Sequence, residues 1–341
     1  MRRRDFLALG IAYPMVVPGY RVQFPRDEGS HPAFRQEWWY ATGWLRTLGG
    51  ADIGFQATFF RARPDIVTDN PSDFTPRQVV LAHAAISDPR RGHLQHGERA
   101  ARVALGLAGA EEDALKVWVD DWRLEFDGKV YRVQVNARQF AYDLALFPSG
   151  PPLLEGDNGF SRKGRRDAEA SYYYSRPQLG VGGYLDGKQV SGLAWLDHEW
   201  SSEYMPAAAE GWDWCGLNLE GGGALMAFRM RGAGGKRVYS GGTLVTHEGA
   251  KPLVFKDGEV QFETLTTWRS PRTGTTYPVG IRVWTPGGVW RLAALMPDQE
   301  LDARASTGTI YWEGAVSAFG QNAPRGRGYL ELTGYWKPLQ L

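Results

Sequence analysis

Three features of the sequence predict an all-β fold, drawn as two antiparallel barrels in tandem. Short runs of aromatic and β-branched residues recur along the chain, glycine-marked turns separate them, and no stretch keeps a helical period beyond about three turns. The 43 glycines, 20 prolines and 14 tryptophans are scattered through these runs, without the repeats of collagen or the bias of disorder. A length of 341 residues suits two domains of roughly 150 residues each. One strand series ends near residue 200 and another begins near 212, so the expected domains are 13–200 and 201–341. A closed eight-stranded sheet has no free edge and can hold one small ligand.

The first run, residues 36–45, turns at Gly49-Gly50 into 53–61, which is a β-hairpin pattern. Residues 79–87 follow with His83 inside them, and 96–108 alternate weakly. Residues 116–126 read as one strand, joined across Asp127-Gly128 to 129–140, and 140–147 continue the meander. The Pro-, Gly- and charge-rich stretch 148–168 predicts a long surface loop. Next come 171–175 and a hairpin over 179–196 that turns at Asp186-Gly187. The second series runs through 212–219, 225–231, 238–246, 261–268, 276–285, 289–295 and 309–316 to 328–336. The best short helical candidate is 111–114.

Composition removes several functional classes. A net charge of +1 gives no electrostatic reason to expect nucleic acid or an acidic membrane surface. The single Cys215 excludes an internal disulfide and a cysteine-built metal site. Six dispersed histidines form no HExxH or comparable cluster, so no metal and no cofactor is expected. No G-x-S-x-G elbow supplies a hydrolase nucleophile. At the start of the chain, Arg2-Arg3-Arg4-Asp5-Phe6-Leu7 fits a short twin-arginine export signal over 1–12, with Gly10-Ile11-Ala12 as a small-x-small cleavage site. The expected mature protein starts near Tyr13 and is periplasmic or secreted. No run approaches the ~18 uninterrupted apolar residues of a spanning helix, so no transmembrane segment is expected in it.

The most informative stretch is Trp195-Leu196-Asp197-His198-Glu199-Trp200. Read as a strand, it places Trp195, Asp197 and Glu199 on one face and Leu196, His198 and Trp200 on the other. Each face then carries apolar bulk and an ionisable group. A plain core strand avoids Asp and Glu unless they are paired, so charge beside aromatic surface marks a candidate site.

Several blocks resemble the bacterial carotenoid 1,2-hydratase-like, or AttH-like, proteins. They are Glu37-Trp38-Trp39-Tyr40, residues 54–61, Leu81-Ala82-His83-Ala84-Ala85, Tyr172-Tyr173-Tyr174-Ser175, the Trp195–Trp200 stretch, residues 311–316 and residues 328–335. Together they span nearly all of the expected mature chain. The resemblance implies tandem lipocalin-like barrels on a predicted secreted hydrolase. Carotenoid hydratases add water to an isolated terminal alkene with an aspartate two residues after an aromatic. Trp195-Leu196-Asp197 matches that spacing, with Trp in place of Tyr. The histidine and aromatic that those hydratases use upstream fall where this chain has Tyr172-Tyr173-Tyr174, phenols without an imidazole.

Hydrating an unactivated alkene requires a carboxylic acid that keeps its proton, which burial and a second carboxylate both favour. Asp197 is then the candidate acid, with Glu199 tuning it or positioning water. Trp195, His198, Trp200, Tyr172, Tyr174, His83 and Trp39 are the expected substrate-binding residues. The competing structural reading pairs Asp197 and Glu199 with arginines at the domain seam, and uses Glu37 to hold an arginine such as Arg61. Three functions follow: an exported hydro-lyase acting on a hydrophobic small molecule, a non-catalytic lipocalin-type carrier, or an accessory partner of an envelope transporter.

Overall fold

A computed structural model describes residues 13–65, 72 and 75–339, so the arginine-rich export pattern over 1–12 lies outside the described residues. The first sheet contains β1 (Gln36–Thr47), β2 (Asp52–Ala62), β3 (Val79–Ser87), β4 (Gln95–Arg102), β5 (Ala108–Ala110), β6 (Lys116–Val119) and β7 (Trp122–Phe126). It continues through β8 (Tyr131–Asn136), β9 (Ala141–Phe147), β10 (Leu153–Leu154), β11 (Phe160–Arg162), β12 (Ala170–Leu185) and β13 (Lys188–Ser201). The second sheet contains β14 (Gly211–Leu219), β15 (Ala224–Arg231), β16 (Arg237–Val245), β17 (Leu253–Phe255) and β18 (Gln261–Arg269). Its remaining strands are β19 (Thr276–Thr285), β20 (Gly288–Ala294), β21 (Glu300–Ala303), β22 (Thr309–Gln321) and β23 (Gly326–Leu332).

The first sheet runs β4-β3-β2-β1-β13-β12-β9-β8-β7-β6-β5, with β10 and β11 on β12; the second runs β17-β16-β15-β14-β23-β22-β20-β19-β18, with β21 on β22. The ends of the first sheet return toward each other, giving a near-barrel beside a half-barrel, as expected of tandem lipocalin-like barrels. Period-two burial explains the curl. Inward residues such as Phe55, Val133, Leu144 and Leu196 fill the first sheet with its own side chains, and Leu217, Ile281, Trp290 and Leu330 fill the second.

Most of β1, β13 from Ala194 onward, and nearly all of β14 are buried, because their outer faces meet across the seam between the sheets. A third cluster, including Tyr40, Tyr173, Trp195, Trp214, Phe228 and Tyr329, joins the two sheets there. Contact is close: a Cβ on Gly54 would fall 2.7 Å from Ala315 Cβ and from the Tyr329 hydroxyl. Polar contacts also cross the seam. Trp44 Nε1 donates to the Gly328 carbonyl at 3.1 Å, and the Gln178 backbone N–H donates to Asn218 Oδ1 at 2.7 Å.

Four local expectations change. Residues 116–126 form the hairpin β6–β7, with Asp120 in the left-handed region at φ +58°, a conformation aspartate tolerates. Apolar alternation carried across that two-residue turn and concealed it. The 171–175 run and the first arm of the 179–196 hairpin are one strand, β12, interrupted by a bulge between Arg176 and Leu179. Residues 111–114 are not helical; the Glu111 carbonyl accepts the Ser30 backbone N–H at 2.7 Å and ties the segment to the N-terminal lead. Finally, 148–168 is no surface loop. It contributes β10 and β11 and buries Glu155, Ser161 and Lys163.

Candidate functional site

Register fixes which side chains meet. Tyr40 stands opposite Asp197 and Trp38 opposite Glu199 across β1 and β13, while Ser175 and Tyr173 stand opposite the same two acids across β12. Opposed residues in an antiparallel pair share a face, so all of these point toward the second sheet. There, Trp214 on β14 opposes Glu331 on β23, which opposes Glu313 on β22. A cavity of about 220 Å³ lies between the sheets. Trp38, Tyr40, Phe60, Tyr173, Trp214 and Tyr311 give it aromatic walls, and Asp197, Glu199, Glu313 and Glu331 reach it with carboxyls.

Asp197 is buried and has no basic partner among the described ion pairs. Its Oδ1 accepts from Trp195 Nε1 and Ser175 Oγ, each at 2.6 Å, and its Oδ2 accepts from the Tyr173 hydroxyl at 2.8 Å. Burial pushes the carboxyl well above its ordinary pKa; the three donors oppose that shift and nearby Glu155 adds to it. The Ser175 hydroxyl also lies 2.9 Å from Glu155 Oε1. One hydroxyl has one proton to donate, so both contacts are hydrogen bonds only when Asp197 or Glu155 is itself protonated. Burial pushes Glu155 up to about 7, against hydrogen bonds from Thr243 and Ser175.

Glu199 differs. Lys163 Nζ sits 2.8 Å from its Oε1, and the Lys163 ammonium also faces the rings of Tyr173 and Phe228 at 4.8 and 4.6 Å. Burial still raises the Glu199 pKa, with Lys163 working against it. The seam pairing expected for these acids is therefore a lysine on Glu199 alone. His83 lines the cavity too, with its two ring nitrogens 2.8 Å from the Tyr311 and Ser306 hydroxyls. Burial pushes it down to about 3, which keeps the imidazole neutral.

Trp39, Tyr172, Tyr174, His198 and Trp200, expected to bind substrate, point to the opposite face of the same strands. They do not line the cavity but surround a polar network that borders it through Glu37 and Arg61. Glu37 Oε1 lies 2.8 Å from both His31 Nδ1 and His198 Nε2, and Glu37 Oε2 accepts from Arg61 Nε at 2.8 Å. Burial opposes the Glu37 charge, but His31 and Arg61 outweigh it and hold the carboxyl well below its usual range. His31, Glu37 and His198 are close enough to be considered metal ligands. Their donor atoms already satisfy one another, and the Arg61 guanidinium opposes a second cation there. The expected Glu37–Arg61 pair is present, with Trp200 stacked on His31 at 3.8 Å between ring centroids.

The cavity carboxyls make stability depend on pH. Asp197, Glu155, Glu199, Glu313 and Glu331 bind protons more tightly folded than unfolded. The native state therefore holds protons that the unfolded chain releases, and stability falls as pH rises through about 7, the value reached by Glu155 and Glu331. The lowered pKa values of His83 and His198 act in the other direction, below the ordinary histidine value. Between pH 6.5 and 8.5 Glu155 and Glu331 alone should lower the unfolding free energy by roughly 1–2 kcal/mol. Urea titrations across that range check it, and a flat or rising profile would mean that the native carboxyls are already ionised.

Two filled lipocalin-like sheets with an acid-lined cavity at their seam define the class of protein. A family model described as AttH-like matches residues 15–335, and the chain belongs to that family. An AttH structure from Nitrosomonas europaea is 46% identical, covers 94% of this chain and 99% of its own, and superposes with a TM-score of 0.88. Kievitone hydratase from Nectria haematococca is 15% identical over 95% of this chain and 97% of its own, with a TM-score of 0.69, a likeness of fold. No curated protein matches the chain.

Proposed function

We propose that the seam cavity binds an apolar isoprenoid- or polyene-like molecule and that Asp197 hydrates an isolated alkene in it by acid catalysis. The observation that carries this reading is a buried carboxyl, with no cationic partner among the described residues, on the wall of an aromatic cavity. Asp197 gives its proton to the less substituted alkene carbon, and the π electrons leave a tertiary carbocation at the other. Aromatic faces support that cation by about 0.5–2 kcal/mol each. Water adds to the cation, and the proton it releases returns to the Asp197 carboxylate, so the net change is addition of one water. Tyr173 steadies the carboxylate in between through its 2.8 Å hydrogen bond.

The test is incubation with an acyclic carotenoid in ¹⁸O-labelled water, followed by mass spectrometry. The expected product is heavier by one labelled water. A tightly held, chemically unchanged carotenoid would replace this reading with that of a carrier.

A further inference from the structure

Glu313 and Glu331 stand directly opposite each other on β22 and β23, Glu313 buried and Glu331 partly buried, both on the cavity wall supplied by the second sheet. Like charges so placed destabilise a sheet, so the pair needs a proton or a cation between its members. Among the described residues no lysine, arginine or histidine forms an ion pair with either; Lys163, the nearby cation, is taken by Glu199 and Ser161. Trp212 Nε1 donates to Glu331 Oε2 at 3.1 Å. Glu313 Oε1 has no hydrogen-bond partner, and neither does the Tyr40 hydroxyl across the cavity. The Tyr40 hydroxyl still lies close enough to Glu313 to oppose, together with the Tyr311 hydroxyl, the rise that burial and Glu331 impose on its pKa, so the contact is loose rather than complete. Buried polar groups left in this state gain when a ligand completes them.

We propose that the Glu313–Glu331 pair is a second pole of the cavity, one that receives an organic ammonium group carried on an apolar body. The two carboxyls supply the counter-charge, and Trp212, Trp214 and Tyr204 on the same wall supply the ring faces that favour such cations. Burial pushes Glu331 up to about 7, so near neutral pH the pair yields a proton to an incoming cation readily. The other charged or titratable acids and bases lining the space are Asp197, Glu199 with its Lys163, neutral His83, and the Glu37–Arg61 pair, which neutralises itself. For the hydration proposed above, and resting on that reading, the pair faces the charge of the carbocation.

The test is calorimetric titration of the full chain at pH 7.5 with N,N-dimethyloctylamine, 1-octanol and octanoate. The amine should bind at least tenfold more tightly than the alcohol, and octanoate more weakly than both. Glu331→Gln should remove the preference for the amine while keeping alcohol binding. A preference of threefold or less in the unaltered protein, or one that survives Glu331→Gln, would overturn the proposal. Should that variant fold poorly, titrations of the unaltered protein in two buffers of different ionisation enthalpy decide. Release of about one proton per bound amine supports the pair, and none refutes it. No readout here involves turnover, so its failure stays distinct from failure of the hydration reading.

Discussion

Asp197→Asn should lower hydration by roughly 10²–10⁴-fold, the usual contribution of a positioned general acid, while the protein melts within a few degrees of the unaltered chain. Asparagine keeps the shape and most of the contacts. Its Oδ1 can accept from Ser175 and Trp195, and its Nδ2 can donate to the Tyr173 oxygen, which keeps a second acceptor site beside the one used by Trp214 Nε1. It has no acidic proton to deliver. Because no arginine or lysine among the described residues pairs with Asp197, the change strands no buried cation there, and the roughly 3–5 kcal/mol penalty of a broken buried pair does not apply. Melting curves and ligand binding measured beside turnover separate the cases. A large loss of stability would reassign Asp197 to the seam, and unchanged turnover would remove it from the mechanism.

Glu37→Ala should be the most destabilising single change, by about 3–5 kcal/mol. Arg61 is fully buried, and with Glu37 absent its guanidinium keeps only the backbone carbonyls of His31 and Phe34, each at 3.0 Å. His31 and His198 lose the same partner. The Glu37 pKa is depressed in the folded state, so its stabilisation is present above the ordinary carboxylate value and fades as pH falls through the folded one. Urea unfolding at pH 7 measures the change. A loss below about 1 kcal/mol would show that the network tolerates an unpaired arginine, contrary to the cost of a lone buried charge.

The alternation of Trp195 through Trp200 correctly divided that strand into two faces, because period two is a property of the backbone and survives any packing. What alternation leaves open is which face meets a cavity. Pattern alone makes Asp197 and Glu199 the candidate acids and His198 and Trp200 candidate binders, but the second sheet covers only the face that carries the acids. Glu155 and Lys163 were concealed by composition: Pro and Gly around them signal turns, while burial is imposed by Leu153 and Phe160 docking on β12. Glu313 and Glu331 were legible in principle. Each is a single acid in an apolar run, the same anomaly that marked Asp197. Their register across β22 and β23 comes only from strand pairing far apart in the chain.

Placing the cavity at the seam gives the chain the character of a heterodimer encoded as one polypeptide. Asp197 and the opposing wall lie on segments well separated in sequence, so neither half can drift alone without altering the space that both define. A change of ligand is therefore expected to need paired substitutions, one on β1, β12 or β13 and one on β14, β22 or β23. A chimera that joins the first half of one relative to the second half of another should keep both folded sheets yet lose the fit between them.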